Sequence, residues 1–334
     1  MRRRTILANF AVASALGPSR VFAQRAAGRR YRIAVATEGV TTDIAESGIA
    51  ASWGAFLQQL RKDGYVENQN LVIERYGAEG RVDRYPAIAQ KMVRSNPDVL
   101  VAVATIGLQL LRATDSIPVV LALVDPVGMG LVQSLARPGK NFTGVTVDAS
   151  AAVIVKGVEV LRELLPGLSR MGILAPPSRM ADFVVVAVSA AAQKLGIEPV
   201  SARPEMPLSE STYRRAFASL VEAHVDAVFV TGAPENFLND QTIVDLAAAT
   251  RLPAIYAVRP FVDVGGLISY GFDLPELFLH MADQVSAILK GVKPGDIPIY
   301  QPTKFQLFVN LKTAKALGLA IPPTLLVRAD EVIE

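Results

Sequence analysis

Apolar residues along this chain fall into two kinds of run, and the two kinds alternate. Short, nearly unbroken apolar stretches occur at 31–37 (YRIAVAT), 71–75 (LVIER), 98–103 (DVLVAV) and 118–124 (PVVLALV). Between them apolar residues recur every three or four positions: Ile49, Trp53, Phe56, Leu57 and Leu60 before Gly64, then Tyr85, Ile88, Met92 and Val93. The first kind reads as strands and the second as amphipathic helices. A strand without polar alternation is covered on both faces, as in a parallel sheet wrapped by helices. Asp43 and Glu46 have the spacing of a capping box opening the first helix.

The alternation then restarts. Strands are expected at 171–176, 197–202, 226–231 and 253–258, with helices over 181–195, 210–223 and 236–250. The seam between the halves is NFTGVTV, 141–147. Beyond the second half, 265–271 (GGLISYG) is extended, and a helix over 275–290 carries Leu277, Leu279, Met281, Val285, Ile288 and Leu289. An extended stretch, 301–310, and the short helix LKTAKALG follow. The pattern predicts an α/β protein of two doubly wound, parallel-sheet lobes joined by three crossover segments. The N-terminal lobe is expected to take 31–143 and 271–300, and the C-terminal lobe 144–270 and 301–334. Lobes hinged in this way enclose a cleft that closes on a ligand.

Composition narrows the chemistry. A chain of 334 residues, 51% apolar and 19% charged, suits two ordinary folded domains rather than a disordered chain. The absence of cysteine excludes disulfides, thiolate catalysis and lipid attachment through sulfur. His224 and His280 lie in helix-like stretches without metal-ligand spacing, so neither metal nor cofactor is expected. No Gly-rich dinucleotide loop follows the first strand, and there is no phosphate loop or nucleophile elbow; Gly128-Met129-Gly130 reads as a turn. No catalytic residues emerge, and the chain reads as a binding protein rather than an enzyme.

The N-terminus combines Arg2, Arg3 and Arg4, an apolar run over 5–16, Gly17-Pro18 and Val21-Phe22-Ala23. This is the build of a signal peptide, 1–23, cleaved after Ala23. The run is too short to span a bilayer. Arg3-Arg4-Thr5-Ile6-Leu7 also resembles a twin-arginine signal, so the Sec and twin-arginine routes both stay open. Either route predicts a periplasmic location. Removing 1–23 takes four arginines and no acidic residue from a net charge of +3, leaving −1 and no basic surface for nucleic acid.

In open α/β sheets, ligands sit beyond the carboxyl ends of the strands. Those ends place Thr37, Glu38, Ala104, Thr105, Asp125, Ser178, Thr231, Glu235, Tyr256 and Tyr270 at the cleft as ligand-binding candidates. Thr105 opens the helix IGLQLL, where its hydroxyl and the free amides of the first turn suit a carboxylate; a plain N-cap is the competing role. Asp125 offers a charge to an ammonium group, or caps the turn led by Pro126. Glu235 faces the same choice between an ammonium and simple solvation, and Tyr256 and Tyr270 between cleft walls and core. Trp53 belongs to an apolar stripe and reads as packing.

Four blocks carry a likeness to a known family: GYVENQNLVIERYGAEGRVDRYPAIA (64–89), DPVGMGLVQSLARPGKNFTG (125–144), LPAIYAVRPFVDVGGLISYG (252–271) and QPTKFQLFVNLKTAKALGLAIPPTLLVRADEVIE (301–334). Together they resemble the substrate-binding proteins of ABC transporters of the tryptophan/tyrosine type, over nearly all of the chain after 1–23. The resemblance implies a type I periplasmic-binding fold, capture of a solute between lobes, and delivery to an inner-membrane permease. Some members bind aromatic amino acids. TGAPENF (231–237) and Tyr256-Ala257-Val258 depart from residues common in the family, and both departures fall at the cleft. The expected function is therefore that of a monomeric periplasmic receptor for an ABC importer, capturing an amino acid or another small carboxylate. A sensory module presenting ligand to a membrane receptor would use the same cleft, and a secreted two-lobed enzyme is a further alternative.

Overall fold

The computed structural model describes residues 29–39, 50–147 and 151–334. The expected signal peptide and the Asp43/Glu46 capping box lie outside these. Five strands, β1 (Tyr31–Thr37), β2 (Leu71–Gly77), β3 (Val99–Val103), β4 (Val119–Leu123) and β5 (Phe142–Thr146), form one sheet in the order β2-β1-β3-β4-β5, every neighbour parallel. Seven more make the second sheet: β6 (Arg170–Leu174), β7 (Glu198–Ala202), β8 (Ala227–Val230), β9 (Ala254–Tyr256), β10 (Ile268–Phe272), β11 (Phe305–Asn310) and β12 (Glu331–Ile333). Their order is β12-β11-β10-β9-β8-β6-β7.

The unbroken apolar runs are explained by burial on both faces. In β1, Ile33 and Val35 join one hydrophobic cluster while Ala34 and Ala36 join another on the opposite face. This is the two-residue period of a strand acting on a sheet with two dry sides. On the first face lie α1 (Ala50–Lys62), with Trp53, Phe56 and Leu60 inward, and the later helix α10 (Leu274–Leu289). The other face is covered by α2 (Tyr85–Arg94) and α3 (Ala104–Ala113). The second sheet repeats the plan. Helices α4 (Ala151–Leu164) and α5 (Arg179–Lys194) cover one side, and α6 (Glu210–Glu222) and α8 (Asp240–Ala249) the other. The helix expected over 236–250 is two: a single turn, α7 (Pro234–Phe237), and then α8. They part at Asn239, whose backbone leaves the helical region (φ −128°, ψ 22°). Three short elements were absent from the sequence reading: α9 (Pro260–Asp263), α12 (Pro323–Arg328) and β12. The helix LKTAKALG is α11 (Leu311–Leu317).

The second sheet is parallel, as expected, except at one seam, where β11 runs antiparallel to β10. The path of the chain is the reason. After β10 it leaves for α10, which packs on α1 and on β3, β4 and β5 of the first sheet. It then returns through 297–304, entering the second sheet from the end at which β10 left. The returning segment is tied to β5: Thr146 donates its N–H to the Tyr300 carbonyl (2.8 Å), and Tyr300 donates to that of Gly144 (2.9 Å). Strands β5 and β10, through which the expected lobe boundaries at 143/144 and 270/271 pass, each stay in one sheet along their whole length.

Gly144 sits at the tightest point of this junction. Its φ is +154°, and a Cβ there would lie 1.8 Å from the Leu121 carbonyl oxygen. Its own carbonyl also accepts from Gln284 Nε2 at 2.7 Å. No side chain can be added without parting β4 from β5, so Gly144→Ala is expected to lower unfolding free energy by about 3 kcal/mol or more. Denaturant titration of the two purified proteins checks this.

Candidate functional site

Strands β1, β3, β4, β6 and β8 all point their carboxyl ends at a single cavity between the two sheets. Its volume is about 260 Å³, just below the ~300–1,000 Å³ common for small-molecule sites. Eight of the residues read from strand ends line it: Thr37, Glu38, Thr105, Asp125, Ser178, Thr231, Glu235 and Tyr270. The lobes are in contact around it, since Phe183 and Val184 of α5 pack on the hydrophobic cluster of the first sheet.

Glu38 is the centre of the first lobe's contribution. The loop after β1 is fastened to the loop after β2: Ala78 donates its N–H to the Thr37 carbonyl (3.1 Å), and Gly80 donates to that of Glu38 (2.7 Å). This fixes the Glu38 side chain against the start of α3. There the Thr105 N–H donates to Glu38 Oε1 at 3.1 Å, and the Ile106 amide also supports the carboxyl. The other oxygen, Oε2, is buried with no hydrogen-bond partner among the described residues. Glu38 itself is only 1% exposed.

This arrangement changes the reading of Thr105. The helix begins two residues earlier than expected, with Val103 at the N-cap position and no side-chain cap, so Thr105 lies inside the first turn. The amides expected to receive a ligand carboxylate are engaged by the protein's own Glu38. Ala104 opens that turn. Asp125 keeps its local role: with φ at +33°, its Oδ1 accepts the Gly128 N–H at 2.7 Å. A Cβ on Gly128 would fall 2.0 Å from Asp125 Oδ2, which explains the glycine. Ser178 N-caps α5, accepting from the Ala181 amide at 3.3 Å.

On the facing lobe a buried polar network holds the 231–236 loop. Tyr213 donates its hydroxyl to Asn236 Oδ1 (2.9 Å), Asn236 Nδ2 donates to the Thr231 carbonyl (3.0 Å), and Thr231 Oγ1 donates to the Leu174 carbonyl (3.1 Å). Thr231 therefore serves the loop as well as lining the cavity. The loop presents Glu235, which is buried rather than solvated. Asn239 Nδ2 donates to its backbone carbonyl (2.9 Å), but no described side chain donates to its carboxyl. Tyr256 is not part of the site. It stacks on Phe261, with ring centroids 4.9 Å apart, inside the core. Trp53, read as packing, does both: it meets Phe278 edge-on at 4.8 Å and also lines the cavity. Its indole N–H has no partner among the described residues.

Burial pushes the Glu38 carboxyl well above the usual carboxylate range, and the charge of Glu235 across the cleft adds to the rise. The helix start opposes this, but a helix N-terminus contributes at most ~2 kcal/mol. Burying a carboxylate costs several. Burial raises Glu235 too. Tyr85, whose hydroxyl lies beside Glu38 outside hydrogen-bond geometry, is driven upward by burial and by both glutamates. A carboxyl whose folded pKa exceeds its unfolded one holds its proton better in the folded state. It therefore stabilises the fold at acidic pH, and that stability is lost as pH rises through the folded value. Glu38→Gln removes this penalty. The unliganded variant is expected to melt roughly 2–4 °C above the parent at neutral pH, with the gap closing as pH falls toward 5; thermal denaturation across pH checks it.

Comparisons with known proteins agree with this geometry. The family model described as ABC transporter substrate binding protein matches residues 38–333. A tyrosine-binding protein of Clostridioides difficile (strain R20291) is 28% identical over 269 residues, covering 79% of this chain and 75% of that protein. A conserved domain protein from Vibrio cholerae superposes with a TM-score of 0.82 at 29% identity, over 91% of this chain and 100% of the other. An ABC domain from Streptococcus pneumoniae in complex with L-Trp gives 0.81 at 25% identity, again over 91% and 100%. The chain belongs to the family of ABC transporter substrate-binding proteins and has their type I periplasmic-binding fold.

Proposed function

We propose that this protein is the solute-capturing component of an ABC importer, exported after cleavage near Ala23 and working as a monomer in the periplasm. The enclosed cavity between the lobes carries this reading, because a solute held there contacts both lobes and stabilises their closed arrangement. A ligand shifts the open–closed equilibrium only by its difference in affinity for the two states, and a site divided between lobes maximises that difference. The closed shape is what an inner-membrane permease would recognise. The pivots are the three crossings, after β5, between β10 and α10, and along 297–304.

Several features support capture rather than turnover. The described lining offers no histidine, lysine or cysteine to act as base or nucleophile. Its walls are largely aromatic and aliphatic, and the relatives named for tyrosine and L-Trp suit a solute with an aromatic-sized body. No helix among the described residues is long and apolar enough to cross a membrane.

Trp53 is the chain's one tryptophan and faces the cavity, so it is a built-in reporter. Adding a true solute is expected to change Trp53 emission and to reduce the radius of gyration in X-ray scattering. Deleting the gene should abolish uptake of that solute. Retained uptake after deletion, or an unchanged scattering profile with a bound solute, refutes the importer reading.

A further inference from the structure

The cavity is unbalanced in charge. Glu38, Asp125 and Glu235 line it, and among the described lining residues there is no lysine, arginine or histidine. The segments 40–49 and 148–150 contain no basic residue in their sequence, while Arg179, beside Ser178, is not among the residues whose side chains are described. The helix start that would seat a solute carboxylate is already engaged by Glu38 Oε1, while Glu38 Oε2 is a buried acceptor lacking a donor among the described residues. Around these groups stand Trp53, Phe183, Phe229, Phe237, Phe272 and Phe278.

We propose that the solute is an apolar, aromatic-sized amine without a carboxylate, its cationic nitrogen bridging Glu38 of one lobe and Glu235 of the other. The inference rests on the importer reading and sharpens it. An ammonium group brings three donors and a positive charge, and that charge offsets the repulsion between two carboxyls in a poorly hydrated space. A solute carboxylate would meet the opposite: like charge on three sides and no cation among the described lining residues. Because the two glutamates belong to different lobes, only the closed arrangement brings both to one nitrogen, so charge recognition and closure are one event. Without solute, burial and mutual repulsion make the pair retain a proton. Tyr85 beside Glu38, Tyr213 beneath Glu235, Asp125 on the same wall and the amides of Thr105 and Ile106 are the other groups facing the pair. When the ammonium binds, the retained proton passes to solvent.

The test uses the mature protein and three probes sharing one ring: 2-phenylethylamine, L-phenylalanine and 3-phenylpropanoate. Calorimetry at pH 6–7, in buffers of different ionisation enthalpy, gives affinity and proton release together. The amine is expected to bind about tenfold or more tighter than the amino acid, with proton release, and the acid not at all. Glu38→Gln and Glu235→Gln should each cost about 30-fold or more in amine affinity and abolish most of the proton release. Lys194→Ala, at the exposed C-terminal end of α5, should leave amine affinity unchanged. Equal or tighter binding of the amino acid or the acid, or full amine affinity in Glu38→Gln, overturns the amine assignment and leaves the importer reading standing. Failure of all three probes to bind also overturns it, and uptake in the deletion strain decides the importer reading independently.

Discussion

The burial of one carboxyl group, Glu38, organises this molecule's functional end. A charge that is 1% exposed must be answered by hydrogen bonds, by an opposite charge or by a proton. The protein answers half of it: one oxygen meets the start of α3, and the other is buried with no hydrogen-bond partner among the described residues. The loops after β1 and β2, the first turn of α3 and the wall built by Tyr85 all take their positions around that group. A site completed from within would have no reason to attract a solute. This one is satisfied only in part among the described residues.

Glu235 repeats the constraint on the facing lobe with different means. There the backbone is fixed by Tyr213, Asn236 and Thr231, a network with no charge of its own. A neutral, fully bonded scaffold can hold a carboxyl in place without lowering its cost. Each lobe thus carries a rigid mount and an under-compensated acid, and neither needs the other to keep its shape.

Much of this was legible in the sequence because the central strands are dry on both faces. DVLVAV and PVVLALV cannot be confused with one-sided strands, and strand ends then point to the cleft by topology alone. That rule reached Glu38 without giving it a role, and Glu235 with an ammonium partner and simple solvation both open. Whether a helix starts at 104 or 106 decides if Thr105 lies within the turn or caps it, and two residues are finer than a pattern resolves. Tyr256 shows the same limit for a strand, since the last side chain of β9 turns to Phe261 and the core. Trp53 shows that packing and lining are not exclusive for a side chain large enough to have two faces. The antiparallel β11 depends on which end of the sheet the chain returns to, and β12 and α12 are too short for any periodicity to develop.

Helix α10 follows the whole second β/α series in the chain, yet it covers the first sheet, against α1 and β5. A ribosome that has made residues 29–147 has therefore produced a sheet with one flank open, and the missing piece is not synthesised until residue 289. The N-terminal half must wait, with Phe56, Leu60 and Val120 uncovered, while well over a hundred further residues are added. Vectorial folding, one half settling before the next emerges, is closed to this architecture. Until that helix is made, the face it will cover stays exposed on the growing chain.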